Sequence, residues 1–510
     1  MRLPGTPVGA ECYFCRQNSA AAAQNPRPRR EVSRELPVPQ TAQDAQPSPP
    51  GGDLEASLYE VRKKIYPRAV HGWWAGWRWA LVWATQIIYY GLPWLTWNER
   101  QAVLFDLAAR KFYVFGLVFW PQDVIYLTVL LIIAALSLFL FTAVAGRLWC
   151  GYACPQTVYT EIFMWIERRI EGERMARIRL DAAPWTGRKI ALKSAKHAAW
   201  IAFALWTGFT FVGYFTPITA LWGSLLAFSL GPWETFWVAF YGFATWGNAG
   251  FMREQVCKYM CPYARFQSAM FDRDTLIITY DQRRGEPRGA RNRSIDRAAA
   301  GLGDCVNCAI CVQVCPTGID IREGLQYECI GCAACIDACD QVMDRMKYPR
   351  GLIRYSSEAG IEGGYSGRQI VRRALRPRTL LYGAVLLGVI AALFLTLFLR
   401  TPLKVDVIRD RAALVRETAD GFLENVYRLQ LMNTREATHR YRLEVSGLDG
   451  VQLIAKQPVE IPPATAMTVP VSVRVDATKL RTGSHTITFR VSDVDQPAIA
   501  VTENSRFYVR

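Results

Sequence analysis

The stretch that decides the reading is Cys305-Val306-Asn307-Cys308-Ala309-Ile310-Cys311-Val312-Gln313-Val314-Cys315-Pro316, and then Cys329-Ile330-Gly331-Cys332-Ala333-Ala334-Cys335-Ile336-Asp337-Ala338-Cys339. Each half reads CxxCxxCxxxC. In that spacing the first three thiolates wrap one 4Fe–4S cube and the fourth reaches across to the neighbouring cube. The pattern predicts Cys305, Cys308, Cys311 and Cys339 on one cluster, and Cys315, Cys329, Cys332 and Cys335 on the other. Zinc is the competing metal for clustered cysteines, but zinc sites rarely use this four-cysteine run twice. Asp340 follows Cys339 where Pro316 follows Cys315, which alters the loop exit and leaves the ligand count intact. Two clusters so close in sequence suit electron relay rather than bond chemistry.

Upstream, two further motifs match each other: Cys150-Gly151-Tyr152-Ala153-Cys154-Pro155 and Cys257-Lys258-Tyr259-Met260-Cys261-Pro262. Both read Cys-x-Tyr-x-Cys-Pro, both follow an apolar stretch, and both have an arginine just before them, Arg147 and Arg253. They read as an internal repeat. Spacing i, i+4 predicts both sulfurs of a copy on one helical face. A proline opening a new helix would make the second cysteine its cap, where the helix dipole favours thiolate. Soft thiolates suit Cu(I), zinc or iron–sulfur species, and Met260 and Met270 could add thioether donors. Haem has little support: the histidines are His71, His197, His439 and His485, and no CxxCH occurs.

The 14 cysteines all precede residue 340 and fall in tight motifs within 510 residues, which fits metal binding rather than a secreted disulfide scaffold. Apolar stretches of about bilayer length lie near Trp77–Trp97, Val124–Ala145, Ala198–Phe215, Trp233–Phe251 and Leu380–Leu399. Leu221–Leu230 is apolar but short and reads as a surface or re-entrant piece. The net charge of +16 could suggest nucleic acid. However, Arg62, Lys63, Lys64 and Arg68, the run from Arg168 to Lys196, and Arg253 to Arg273 all flank spans. All three sets fall on the cytoplasmic side if the N-terminus is cytoplasmic, so no nucleic-acid partner is expected. The loop after the first span, with Arg100, Arg110 and Lys111, is the exception.

Residues 1–55 are rich in Pro, Ala and Gln and should be a disordered tail without a signal peptide; its Cys12 and Cys15 have no regular structure around them. The remaining boundaries are expected as follows: 56–275, a four-span membrane domain carrying the two CxxxCP motifs; 276–350, the two-cluster ferredoxin domain; 351–378, a linker; 379–400, a fifth transmembrane helix; 401–510, an all-β domain. That last segment alternates apolar and polar residues, as in Val469, Val471, Val473 and Val475, and predicts an antiparallel immunoglobulin-like sandwich. It has no cysteine and so suits docking. The fold class is therefore a multi-domain membrane protein: five-span α-helical domain, cytoplasmic ferredoxin-like domain and C-terminal sandwich.

The ordered combination of two CxxxCP motifs at membrane edges, the double-cluster segment, one more span and the terminal sandwich resembles the CcoG (FixG, RdxA) family of accessory proteins of cbb(3)-type cytochrome c oxidase. The resemblance covers nearly everything after residue 55, but not Cys12 and Cys15. It implies a bacterial cytoplasmic membrane protein acting in oxidase assembly, as a cupric reductase that converts Cu(II) to Cu(I) before copper delivery. Its partners would be a cytoplasmic electron donor, the bilayer, and copper-transport or oxidase-assembly proteins. By motif match, Cys150, Cys154, Cys257 and Cys261 would handle or reduce the copper. Two other readings stand beside it: a quinol-linked electron-transfer subunit, and a scaffold whose clusters only sense redox state.

Overall fold

A computed structural model describes residues 64–293, 300–410, 415–418, 420–476 and 480–509. The predicted disordered tail, 1–55 with Cys12 and Cys15, lies outside the described residues. Helices stand at all five apolar stretches. α1 is Trp73–Gly91, α2 Val124–Ala145, α3 Pro155–Glu171, α4 Gly187–Val212, α5 Pro232–Thr245, α6 Pro262–Met270, α7 Ala334–Met346 and α8 Pro377–Phe398. Two of them, α2 and α8, are long and apolar enough to cross a bilayer by length and composition. Ile218–Leu226 is helical too and packs Ile218 and Leu221 against Phe209 and Val212 of α4.

α2 and α8 run side by side with charged groups at both ends. At one end Asp123, 4% exposed, takes Arg400 at 2.7 Å and also pairs with Lys404. At the other end Arg376 pairs with Asp272 and donates to the Ala143 carbonyl at 2.8 Å. Such ends keep buried charge compensated where the helices leave the apolar layer. The Asp123 end also carries the loop between α1 and α2, a three-stranded sheet of Val103–Asp106, Lys111–Val114 and Leu117–Phe119. Val118 and Trp120 of that loop pack on Met432 of the C-terminal domain, and Arg100 pairs with Glu436. Arg100, one of the three basic residues that fitted the charge rule poorly, thus has an acid of its own.

The C-terminal domain is the expected sandwich. One sheet contains Leu403–Arg409, Phe422–Asn433, Ala466–Asp476 and Gln452–Ile454, with Arg416–Glu417 at its side; the other contains Val459–Ile461, His439–Ser446, Gly483–Asp493 and Ala500–Val509. The alternating residues face inward: Tyr427, Leu429, Leu431, Val471, Val473, Ile487, Phe489 and Val491 are all essentially buried. Period-two burial of this kind is what fixes strand register.

The cluster segment is held by a small antiparallel pair, β1 Ile277–Tyr280 against β2 Ile353–Ser356. Because β2 lies beyond residue 350, part of the expected 351–378 linker belongs to the ferredoxin sheet. Helices Glu358–Glu362 and Gly367–Ala374 occupy most of the rest.

Replacing Asp123 with Ala leaves Arg400 and Lys404 without a counter-charge where they are partly buried. Loss of one member of a buried pair costs about 3–5 kcal/mol. The expected outcome is earlier thermal unfolding and faster proteolytic release of the C-terminal domain from the intact protein, measured side by side with Arg440→Ala, which removes an exposed pair to Asp495.

Candidate redox site

Both cluster loops share one unusual backbone. In the first, Asn307 and Ala309 have φ of 52° and 50°; in the second, Gly331 and Ala333 have 69° and 59°. The left-handed residues therefore fall at the same places, flanking Cys308 and Cys332. Three of them are not glycine, so the fold has to hold a conformation that costs energy. Left-handed and right-handed residues in alternation turn successive N–H groups to one side and make a concavity suited to an anion. Each loop then enters a helix, Ile310–Gln313 or α7, so Cys311 and Cys335 lie in a first turn.

The expected ligand sets separate in space. Cys305, Cys308, Cys311 and Cys339 line one cavity, with Arg322 at its wall. Cys315, Cys329, Cys332 and Cys335 line a second, which Cys311 also touches. Burial pushes the thiols of Cys311 and Cys329 up to about 12 and also raises those of Cys335 and Cys339. Bare thiolates are thus disfavoured there, and cationic iron is the kind of group that would hold them deprotonated. Among the described residues no three His, Cys, Asp or Glu side chains stand close enough for a single metal ion.

The two CxxxCP motifs prove to be matched turns rather than single helices. Each incoming helix ends at a left-handed residue four before the first cysteine: Gly146 at φ 53°, ψ −113° and Arg253 at φ 39°, ψ −109°. A short helix, Leu148–Tyr152 or the π-helical turn Val256–Met260, carries Cys150 or Cys257. The second cysteine then leaves the helix, and its N–H closes the turn on the residue just before the first cysteine, Cys154 to Trp149 at 3.0 Å and Cys261 to Val256 at 2.8 Å. The i, i+4 face therefore does not form. Cys154 and Cys261 do cap α3 and α6, each with proline at the first helical position. Burial nevertheless outweighs the cap at Cys154: its thiol is raised although the N–H groups of Gln156 and Thr157 pull the other way.

The copies interlock reciprocally. Arg147, before the first motif, donates to the Ala264 carbonyl of α6, after the second. Arg253, before the second motif, pairs with Glu167 of α3, after the first, at 2.8 Å. Gln156 of α3 donates to the Asn248 and Arg253 carbonyls, and fully buried Gln267 of α6 accepts from the Cys150 thiol at 3.4 Å. As a result the four thiols sense one another. Burial first, then Cys154, Cys150 and Cys261, push the Cys257 thiol up to about 12, and Cys150 rises to about 11.

The ferredoxin segment closes on this unit. Cys150 and Cys257 pack on the same apolar cluster as Cys332 and Cys335. A Cβ at Gly151 would stand 2.7 Å from the Gly331 carbonyl oxygen and 2.9 Å from Cys332 Cα, so only glycine allows the approach. Asp337 of α7 accepts from the free N–H groups of Trp74 and Ala75 at 3.2 and 2.7 Å, capping α1 from another domain. Sequence reading overlooked Gly151, Gln267, Asp337 and Arg78. Only Arg78, a charge within an apolar helix, carried a signal that could have found it. Met260 is exposed and His197 sits among Trp200, Trp246 and Phe251.

These features define an iron–sulfur protein with two 4Fe–4S clusters joined to paired thiols. The profile of a 4Fe–4S dicluster domain matches residues 252–358, a 4Fe–4S binding domain matches 127–172, and the IG-like fold at the C-terminus of FixG matches 393–510. Residues 127–172 contain only Cys150 and Cys154, half a ligand set. RdxA of Cereibacter sphaeroides is 40% identical over 78% of this chain and 86% of its own length; RdxB of the same organism is 41% identical over 81% and 88%. The nitrogen fixation protein FixG of Rhizobium meliloti is 40% identical over 78% and 81%. The chain belongs to the FixG/RdxA family.

Gly151→Ala should push the Gly331–Cys332 loop away at a cost of about 1–3 kcal/mol. The expected result is a changed electron paramagnetic resonance line shape for one cluster only, with Gly76→Ala, which meets nothing within 4 Å, as the unaffected comparison. Thiol titration gives a second check. Raised values keep Cys150 and Cys257 protonated through neutral pH, so in copper-free protein their alkylation rate should climb about tenfold per pH unit beyond pH 9, where an ordinary thiol levels off.

Proposed function

We propose that this chain crosses the bacterial cytoplasmic membrane five times and reduces Cu(II) to Cu(I) for assembly of a cbb(3)-type cytochrome c oxidase. In this reading the N-terminus, both CxxxCP motifs and the ferredoxin segment are cytoplasmic and the sandwich is periplasmic. The observation that carries the proposal is the shared apolar cluster of Cys150 and Cys257 with Cys332 and Cys335, which sets the paired thiols against a cluster wall. The clusters, when bound, supply one electron at a time.

The residues assigned to hold them are Cys305, Cys308, Cys311 and Cys339 for one, and Cys315, Cys329, Cys332 and Cys335 for the other; these line the two cavities. Cys150, Cys154, Cys257 and Cys261 receive copper as substrate. They lie near enough to act on one another electrostatically. Each Cu(II) takes one electron, and the Cu(I) formed is the softer ion, which thiolate prefers. Thiols held protonated by burial release their protons as copper binds, so affinity rises with pH. A cytoplasmic donor would reach the first cluster at Cys308, which is exposed. The sandwich, with its apolar core closed, is left to dock copper-transport or oxidase-assembly proteins.

One observation favours a second reading. A cavity of about 1010 Å³ lies between α1, α3 and α4, walled by Trp83 and Phe203 and ending at Arg78, Glu161 and Ala334 beside the second cluster loop. Its apolar wall and polar end suit a quinol, in line with a quinol-linked electron-transfer subunit.

Replacing Cys150, Cys154, Cys257 and Cys261 together with Ala is expected to cut Cu(II) reduction by at least about tenfold, assayed with a chemical reductant at unchanged iron content. Undiminished copper reduction would sink the proposal. Reduction of the clusters by quinol in membranes, with no response to copper, would move the assignment to the second reading.

A further inference from the structure

Two buried arginines reach the second cluster loop without an ion pair among the described residues. Arg78 of α1 and Arg147 are each 6% exposed. Arg78 donates to the Cys332 carbonyl at 3.2 Å, and Arg147 donates to the Tyr327 carbonyl and, at 3.4 Å, to that of Cys329. Among the described residues neither forms an ion pair, and both keep a buried Nε without a partner. The nearby acids are already engaged. Glu161 faces Arg168 at 3.8 Å, and Asp337 accepts two N–H groups of α1.

The first cluster loop is furnished in the opposite way. Arg322, at the wall of its cavity, is neutralised by Asp320, with Nε at 2.8 Å and Nη2 at 2.5 Å from the carboxylate. Asp340 adjoins Cys339, and Arg291, which touches the Cys305 carbonyl, is partly solvent-exposed and so screened. Glu161 and Asp337 act on Arg78 only from beyond ion-pair distance, and a buried cation without a contact partner is costly, so two of them in one wall point to a negative group that belongs between them.

We infer that Arg78 and Arg147 are positioning residues that make the cluster of Cys315, Cys329, Cys332 and Cys335 the more easily reduced of the two, so that electrons collect beside Cys150 and Cys257. The physical basis is direct. A cluster gains a negative charge on reduction, and a fixed positive charge in a low-dielectric wall stabilises the reduced form more than the oxidised one. The same guanidinium of Arg147 ties the loop to α6, so charge and geometry at the exit are set by one side chain. The inference rests on the ligand sets assigned above but not on copper being the acceptor.

The test is a redox titration of the full chain in detergent, with both clusters followed by electron paramagnetic resonance. Arg147→Gln and Arg78→Gln should each lower the reduced-to-oxidised ratio of one cluster at least tenfold at fixed potential, a shift of 59 mV for one electron. The other cluster should stay unchanged. Asp320→Asn should act on that other cluster alone and raise its ratio. Arg147→Lys, which keeps the charge, should retain the wild-type value. Equal shifts in both clusters, or no shift at intact iron content, overturn the inference. If Arg147→Gln loses iron, a wild-type ratio in Arg147→Lys supports it, and iron loss in both variants overturns it.

Discussion

The arrangement depends on the burial of Arg147. Its backbone lies one residue beyond the left-handed Gly146 that ends α2, and its guanidinium reaches carbonyls of two other segments. One is the loop before Cys329 and the other is α6, which follows Cys261. A guanidinium has five donors in a rigid fork and is always charged, so one side chain can join three backbones. Remove it, and nothing else described connects the first CxxxCP turn to both the second turn and the cluster loop in a single contact.

The reciprocal partner is Arg253. It takes the strained backbone position itself, φ 39°, which a non-glycine residue holds only when its surroundings fix it. They do so through Glu167, 1% exposed, which also takes Arg177 at 3.2 Å. Burial alone would raise that carboxyl, but Arg253 and Arg177 more than offset it. The two repeats thus use the same plan with different chemistry: one arginine on carbonyls facing a cluster, the other on a carboxylate facing the helix bundle.

At the other end of α2 and α8 the demands are simpler. Asp123, Arg400 and Lys404 keep the C-terminal sandwich against the loop between α1 and α2, and the sandwich itself is stabilised by its own alternating core.

Much of this was legible in the chain. The cluster cysteines declare themselves because iron needs four thiolates and the loop spacing permits few other ways to supply them. The sandwich declares itself because strands alternate with period two, and Val469 to Val475 follow that period without a break. The likeness of Cys150–Pro155 to Cys257–Pro262 showed a repeat, and the family followed from the order of parts. What remained was the turn geometry: a four-residue spacing looks like one helical face, while the closing bond from Cys154 to Trp149 makes it a break. Sequence alone determined which groups could bind iron or copper, since that is a property of the donor atoms. Only the tertiary structure decided that Cys150 and Cys257 lie on the wall shared by Cys332 and Cys335, and that Arg78 and Arg147 face that wall unpaired. Those facts depend on contacts between residues 75 to 254 positions apart, to which no local pattern is sensitive.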